Sequence, residues 1–178
     1  YGSAQRQTAA GIICDVNKAP DASSPRSTGP STAAEWLDRH DMLGHYERVG
    51  YVGLGESYNR WIYRLRLRHF LRLARRHGLT PTVRVLDVGL GSAFYIGLYK
   101  ELGINGVCGV DISPTAVTRA RSSFPPYRFA VCDISAGLPA EIDPQPGFDW
   151  VSAMDMLYHI VEDELFSEAL RHCGRAVR

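Results

Sequence analysis

Residues 83–93 have the sequence VRVLDVGLGSA, in which a short β-rich run is followed by a turn that contains two glycines. A helical pattern continues from about Ala93 to Gly103. A chain that turns sharply from a strand into a helix needs glycine where a ligand approaches the backbone. This segment therefore predicts a strand at about 83–88 and a ligand-binding turn at Gly89 and Gly91.

The alternation of strand and helix patterns continues to the end of the chain. Further strands are predicted at about 107–111, 127–132 and 148–154, and Ser113 can cap a helix that has Pro114 in its first turn. A last helix is predicted from about Val161. Strands and helices that alternate with short loops are typical of βαβ units. We therefore predict an α/β fold with a Rossmann-like, doubly wound parallel sheet preceded by N-terminal helices.

Three segments of the chain differ in composition. Residues 1–34 are rich in Ser, Ala, Pro, Gly and Thr, and we predict a disordered tail or linker there. Residues 35–81 form a helical segment, in which a short helix is expected from Ala33 to about His45 and a strong one over about 57–77. Residues 82–178 form the sheet-containing domain.

The strong helix carries arginines at every fourth position, which places them along one ridge. They are Arg60, Arg64, Arg68, Arg72 and Arg76. Like charges at this spacing repel by roughly 0.2–0.5 kcal/mol a pair. The ridge is consistent with a solvated or internally paired face, for which Glu35, Asp38 and Asp41 are acidic partners. It is also consistent with a surface that binds an anionic substrate or an RNA backbone.

Composition excludes several classes of protein. Of 178 residues, 45% are hydrophobic and 22% charged, which excludes wholesale disorder, collagen and coiled coil. The net charge of +1 gives no global attraction to nucleic acid or to an anionic membrane, and no run approaches the ~18 apolar residues of a membrane span. The four cysteines lack a C-x-x-C motif, so we predict structural thiols, no metal site and a cytoplasmic location. The oligomeric state is not predicted.

Acidic residues follow three of the predicted strands. Asp111 lies 20 residues after Gly91 and closes the second strand, a position from which a carboxylate accepts hydrogen bonds from ribose hydroxyls. Asp133 closes the third strand, so that Asp87, Asp111 and Asp133 are expected along one edge of the sheet. The alternative is that each aspartate caps the helix that follows it.

The turn does not favour a phosphate-containing ligand. Asp87 beside the glycines would repel a pyrophosphate, Phe94 occupies the position of the third glycine of G-x-G-x-x-G, and no G-K-[ST] follows. A ligand with adenine, ribose and cationic groups but no phosphate suits an acidic turn better. S-adenosylmethionine has this chemistry, and its carboxylate can use the helix N-terminus.

Four segments together resemble the successive motifs of class I S-adenosylmethionine-dependent methyltransferases. They are VLDVGLGSA at 85–93, GVDIS at 109–113, CDI at 132–134 and FDWVSAMDMLYH at 148–159. The resemblance covers about 82–163 and implies S-adenosylmethionine as the cofactor. It implies that the turn holds the methionine part, Asp111 the ribose, and Asp133 and Ile134 the adenine. The implied cofactor-binding residues are Asp87, Gly89, Leu90, Gly91, Asp111, Ile112, Asp133, Ile134, Asp155 and Tyr58.

The resemblance also implies a reaction, namely methyl transfer to an acceptor that we expect to be a small molecule. Its candidate catalytic residues are His159, Asp155 and Tyr158, with His159 as a general base. An equal alternative for His159 is that its ring packs against the adenosine or caps the next helix. In related methyltransferases an N-terminal helical segment such as 35–81 forms a lid. The alternatives in other classes are a non-catalytic or vestigial S-adenosylmethionine-binding domain and an NAD(P)-dependent oxidoreductase.

This sequence departs from the family pattern in two ways. Ala93 replaces the usual third glycine of the turn. The family sheet has seven strands, so the resemblance implies a chain truncated after the fourth strand and helix, with the C-terminal strands absent. The fourth strand is then expected to be an exposed apolar edge.

Overall fold

A computed structural model describes residues 54–142 and 147–178. The predictions for the 1–34 tail, for the helix at 33–45 and for its acidic residues lie outside the described residues. The helices are α1 Gly55–Arg76, α2 Phe94–Glu101, α3 Pro114–Ser123 and α4 Asp163–Ala176. The strands are β1 Arg84–Val88, β2 Gly106–Asp111, β3 Arg128–Val131 and β4 Trp150–Ser152, and two short 3-10 helices cover Ile134–Ala136 and Leu157–His159.

The four strands form one parallel sheet in the order β3-β2-β1-β4. Leu86 of β1 lies between Cys108 of β2 and Val151 of β4 in the strand register. This sheet confirms the predicted α/β class and the parallel Rossmann-like architecture. The central position of β1 also places the turn that follows it at the middle of the sheet edge, where open α/β sheets bind ligands.

Alternating residues of the strands face two separate hydrophobic cores. On one face, Val85 packs in a cluster that includes Phe70 of α1 and Ile96 of α2. On the other face, Leu86 packs in a cluster that includes Ala169 of α4. Both residues of β1 are fully buried. Helices therefore cover both faces of the sheet, as the prediction of a doubly wound sheet requires.

The predicted start of α3 is confirmed in detail. Ser113 is the N-cap residue, and its Oγ accepts a hydrogen bond from the backbone N–H of Ala116 at 3.2 Å. Pro114 occupies the first turn, where its missing N–H removes no helical hydrogen bond. This cap fixes the direction in which α3 leaves the end of β2.

The fourth strand is shorter than predicted, because it begins at Trp150 and ends at Ser152 instead of spanning 148–154. Phe148 instead forms a separate parallel bridge with Val177. Its N–H donates to the carbonyl of Ala176 at 2.8 Å, and its carbonyl accepts from the N–H of Arg178 at 3.0 Å. The start of the segment expected to be an exposed apolar edge is thus covered, and the Phe148 side chain is buried.

The arginine ridge lies on α1, where Arg60, Arg68, Arg72 and Arg76 are exposed and Arg64 is half-buried.

Among the described residues, no helix is both long enough and apolar enough to cross a membrane.

Candidate functional site

A cavity of about 300 Å³ opens at the carboxyl ends of the strands. Its walls come from the turn after β1, from the ends of β2 and β3, and from the segment between β4 and α4. The lining residues that carry the argument are Gly89, Gly91, Asp111, Ile112, Asp133, Ile134, Asp155, Met156 and His159. The position and the volume, at the lower end of the range for small-molecule sites, identify this cavity as the candidate ligand site.

The turn after β1 uses backbone conformations that glycine favours. Gly89 has a φ of +84° and Gly91 a φ of +51°. A Cβ atom at Gly89 would lie 2.6 Å from the Cβ of Met156, so there is no room for a side chain. Ala93 also has a positive φ, of +60°, although it is not a glycine. Glycine adopts a positive φ without strain, which explains the third glycine of the family pattern. Ala93 adopts the same backbone conformation at a cost in free energy.

Asp111 connects this turn to β2. The side chain is only 7% exposed, and its two oxygens accept backbone hydrogen bonds from Ser113 at 2.8 Å and from Gly91 at 2.9 Å. The helix cap itself is provided by Ser113. Each carboxylate oxygen has a second lone pair, so Asp111 keeps the capacity to accept hydrogen bonds from ribose hydroxyls in the cavity.

Asp133 behaves differently, because its side chain is exposed and caps the 3-10 helix at Ile134–Ala136. It accepts hydrogen bonds from the backbone N–H of Ser135 at 2.9 Å and from the Ser135 hydroxyl. The backbone carbonyl of Ile134 lies 2.9 Å from Nδ1 of His172 on α4, which fixes this short helix against the rest of the domain. Asp133 thus acts as a cap and also lines the cavity.

Asp87 is placed beside the cavity but not in its lining. It is 1% exposed, and Ser152 Oγ donates to its Oδ1 at 2.6 Å. The pKa of Asp87 is raised to about 7, mainly by burial; the Ser152 hydrogen bond lowers the pKa, and the charge of Asp111 adds to the rise. Within the described residues, Oδ2 of Asp87 has no hydrogen-bond partner.

Three other predicted site residues lie outside this cavity. Leu90 is buried against Gly109 of β2, where an added Cβ would lie 2.4 Å from Leu90 Cδ2. Tyr158 is 61% exposed and is not part of the lining. Tyr58 lines a second cavity of about 280 Å³.

The second cavity lies between α1, α2 and the end of β4. Its lining is mostly aromatic and aliphatic, with Arg66, His69 and Asp155 as the charged or titratable members. The lining residues are Tyr58, Ile62, Leu65, Arg66, His69, Phe70, Leu73, Tyr95, Met154 and Asp155. Asp155 belongs to the walls of both cavities, so the two cavities are neighbours at this residue.

Sequence reasoning missed several residues of these walls. In the first cavity they include Cys132, Ser135, Met156, Ile160, Val161, Glu162 and Leu165, and in the second Arg66 and Tyr95. Cys132 and Met156 lie within the family motifs, and Ser135 and Ile160 directly follow them, so position near a strand end was the available signal. Arg66 and Tyr95 gave no such signal, since only the packing of α1 against α2 brings them to the site.

The wall of the first cavity fits S-adenosylmethionine better than a dinucleotide. It contains Asp111, Asp133, Asp155 and Glu162, and the described lining includes no lysine or arginine. An acidic wall disfavours a pyrophosphate and favours a ligand with ammonium and sulfonium groups.

Comparisons with known proteins agree with this chemistry. The model of the methyltransferase domain family matches residues 85–178. The ubiquinone biosynthesis O-methyltransferase of Bradyrhizobium diazoefficiens is 29% identical over 146 residues, which cover 82% of this chain and 54% of that protein. The ribosomal protein L11 methyltransferase of Burkholderia orbicola is 40% identical over 73 residues, which cover 41% of this chain and 23% of that protein. The chain spans about half the length of the ubiquinone O-methyltransferases that it matches.

Solved structures with the same fold include the [4+2]-cyclase SpnF and DesVI of Streptomyces venezuelae. SpnF has a TM-score of 0.52 and 20% identity over 87% of this chain and 60% of its own. DesVI has a TM-score of 0.51 and 20% identity over 65% of this chain and 47% of its own. At this identity the two structures bear on the fold alone.

Proposed function

Since this chain belongs to the class I S-adenosylmethionine-dependent methyltransferases, we propose that it transfers a methyl group from S-adenosylmethionine to a hydroxyl oxygen of a small molecule. The observation that carries the proposal is that the acidic cavity beside the glycine turn and the mostly apolar cavity against α1 share Asp155. One cavity has the chemistry of the cofactor, and the other has the chemistry of an acceptor. The ubiquinone biosynthesis O-methyltransferases among the relatives support oxygen as the acceptor atom.

In this proposal the first cavity holds the cofactor. Asp111 accepts hydrogen bonds from the ribose hydroxyls, and Ile112 packs beside them. Asp133 and the backbone of Ile134 bind the adenine. Gly89 and Gly91 let the backbone approach the methionine part, whose ammonium is balanced by Asp87. When bound, S-adenosylmethionine supplies a methyl group on a positively charged sulfur, which an oxygen nucleophile can take by in-line displacement.

The second cavity is the proposed acceptor site. Tyr58, Phe70 and Tyr95 contribute aromatic surface, and Ile62 and Met154 contribute aliphatic surface. These side chains favour a flat, largely apolar acceptor, such as an aromatic ring with a hydroxyl substituent. The volume of about 280 Å³ suits a molecule of that size. Methyl transfer requires alignment of the reacting atoms. The aromatic and aliphatic wall would therefore orient the acceptor hydroxyl towards the first cavity.

A proton must leave the acceptor hydroxyl during transfer to oxygen, and the chain offers two candidates to accept it. His159 lines the first cavity, and histidine titrates near neutral pH. Asp155 lies in both walls, but its Oδ2 is occupied by Arg66 at 2.8 Å and by the Tyr95 hydroxyl at 3.2 Å. We assign the base to His159 and the orientation of the acceptor to Asp155. Tyr158, which is exposed and outside both linings, is not part of this assignment.

Labelled methyl transfer tests the proposal directly. The chain is incubated with methyl-labelled S-adenosylmethionine and catechol as a small hydroxylated ring, and the product is identified by mass spectrometry. We expect methylation on oxygen, a large loss in Asp111→Asn through weaker cofactor binding, and a loss of kcat in His159→Gln. Glu101→Gln, at an exposed position on α2, is the matched control. Bound cofactor without transfer to a panel of phenols would contradict the proposed acceptor class.

A further inference from the structure

A series of buried polar side chains ends at Asp87. Nε1 of Trp150 donates to the hydroxyl of Tyr99 at 3.2 Å, and this hydroxyl lies 2.7 Å from Ser152 Oγ. Ser152 Oγ in turn lies 2.6 Å from Oδ1 of Asp87, its register partner across the β1–β4 pair. Ser152 and Asp87 are 3% and 1% exposed. Water therefore has little access to either end of the Ser152–Asp87 hydrogen bond.

Donor chemistry gives this series one direction when Asp87 is ionised. An indole N–H only donates, so Tyr99 accepts from Trp150 and has its own proton available for Ser152. A carboxylate only accepts, so the short contact with Asp87 requires the Ser152 proton. The carbonyl of Leu86 is the one other acceptor near Ser152 Oγ among the described residues, at 3.3 Å. All three donors thus act to stabilise a negative charge on Asp87.

Burial acts against that charge. Burial, with a smaller contribution from the negative charge of Asp111 at the end of β2, raises the pKa of Asp87 to about 7 although the Ser152 hydrogen bond lowers it. From α2, Tyr95 and Tyr99 interact electrostatically with Asp87, and burial raises the pKa of both hydroxyls. Among the described residues, no basic side chain belongs to the groups that shift the pKa of Asp87. An ionised Asp87 therefore has no balancing cation among the groups that shift its pKa, whereas a protonated Asp87 needs none.

We propose that Ser152 is a positioning residue that orients Asp87 through Oδ1 and leaves Oδ2 for the cationic methionine end of the cofactor, and that cofactor binding releases the proton of Asp87. Ser152 and Asp87 are both outside the lining of the two cavities, and Asp87 is the residue next to the turn, so Ser152 acts on a ligand through its hydrogen bond to Asp87. The proton passes to the solvent buffer as the ligand ammonium takes its place as the balancing charge. This inference rests on the proposed function.

Calorimetric titration with S-adenosylhomocysteine measures both parts. We expect binding to be about 30-fold weaker at pH 5.5 than at pH 8.5, because only the ionised form binds and a group with a pKa of about 7 is mostly protonated at the lower pH. At pH 7 we expect release of about half a proton, determined from the difference in heat between buffers of high and low ionisation enthalpy.

Variants separate the positioning role from a structural one. Asp87→Asn is expected to bind weakly at all pH values and to release no proton. Ser152→Ala removes a hydrogen bond that favours the ionised form, so its binding should be weaker at pH 7 and recover at pH 8.5. Ser152→Thr keeps a hydroxyl and should keep the original pH midpoint. Ser122→Ala, at an exposed serine of α3, is the matched control.

His159 lines the first cavity, and histidine as a residue type titrates near neutral pH, so it needs a control of its own. His159→Gln should retain the pH dependence; its loss in that variant, with persistence in Asp87→Asn, would overturn the inference. A Ser152→Ala variant weakened equally at every pH would overturn the positioning role. Binding by the unaltered chain that does not depend on pH would overturn proton release and leave the proposed function standing. Absence of binding by the folded chain at every pH would contradict the proposed function itself.

Discussion

The guanidinium Nε of Arg66 on α1 lies 2.8 Å from Oδ2 of Asp155, in the segment that follows β4. Asp155 has a φ of +58°, a conformation that costs a residue other than glycine free energy, and the hydroxyl of Tyr95 binds the same oxygen at 3.2 Å. The two partners thus hold a strained residue at the point where the two cavities meet. Since α1 precedes the sheet in the chain, this ion pair makes the site depend on the N-terminal helical segment.

Replacement of Arg66 tests this dependence. In Arg66→Met, Asp155 loses its cationic partner while much of the aliphatic packing remains. We expect methyl transfer to fall at least about tenfold through a misplaced acceptor wall, whereas the free energy of unfolding changes by less than about 1 kcal/mol, as is usual for partly exposed ion pairs. Steady-state kinetics and urea denaturation measure the two effects. Arg72→Met, on the exposed ridge of α1, should change neither.

Gly89→Ala tests the close approach of the turn to Met156. The added Cβ would lie 2.6 Å from the Cβ of Met156, at a φ of +84°. We expect a loss of roughly 1–3 kcal/mol in stability and loss of S-adenosylhomocysteine binding, measured by urea denaturation and calorimetry. Gly174→Ala on α4, where a Cβ meets no atom within 4 Å, should instead be neutral or stabilising. Equal behaviour of the two variants would show that the turn is not constrained.

Ala93→Gly restores the residue that the family uses at this position. Ala93 has a φ of +60° and is the N-cap of α2. Relief of the left-handed conformation contributes about 1–2 kcal/mol, and loss of a buried methyl group costs about 0.8 kcal/mol. We therefore expect a net stabilisation of about 0.5 kcal/mol in urea denaturation. A clear destabilisation would mean that the methyl contact outweighs the backbone strain.

The raised pKa of Asp87 also predicts how stability depends on pH. An acid whose pKa rises from 3.8 to about 7 on folding binds more protons in the folded state, so its contribution to stability decreases as pH rises between these values. The gain in the free energy of unfolding that Asp87→Asn produces should therefore be larger at pH 8 than at pH 4.5, as measured by urea denaturation. The difference is of the order of a few kcal/mol. A constant difference across this range would contradict a protonated, buried Asp87.

Local signals in the sequence were enough to predict the sheet and much of the cavity wall. The spacing between Gly91 and Asp111 placed both at one sheet edge, because parallel strands end on the same side. The burial of Asp87 was not predictable in this way, because it depends on the pairing of β1 with β4 and on Ser152, 65 residues away. The strand order that creates this contact is a property of the whole sheet.

The acceptor side of the site was less predictable for the same reason. Helical spacing singled out Tyr58 on α1, which lines the second cavity and not the first. Arg66 and Tyr95 reach Asp155 only after α1 packs on α2, so no motif identifies them. The shortness of β4 was unpredictable for a similar reason, since Phe148 pairs with Val177, which directly follows α4.

Calorimetric titration of the folded chain with S-adenosylhomocysteine at pH 8.5, with Asp111→Asn alongside and NADH as a competitor, tests whether the first cavity binds S-adenosylmethionine. We expect micromolar binding that NADH does not displace and that falls at least about tenfold in the variant, since one charge-assisted acceptor for the ribose is lost. Binding that is unchanged in Asp111→Asn, or that NADH displaces, would contradict the assignment of this cavity to S-adenosylmethionine.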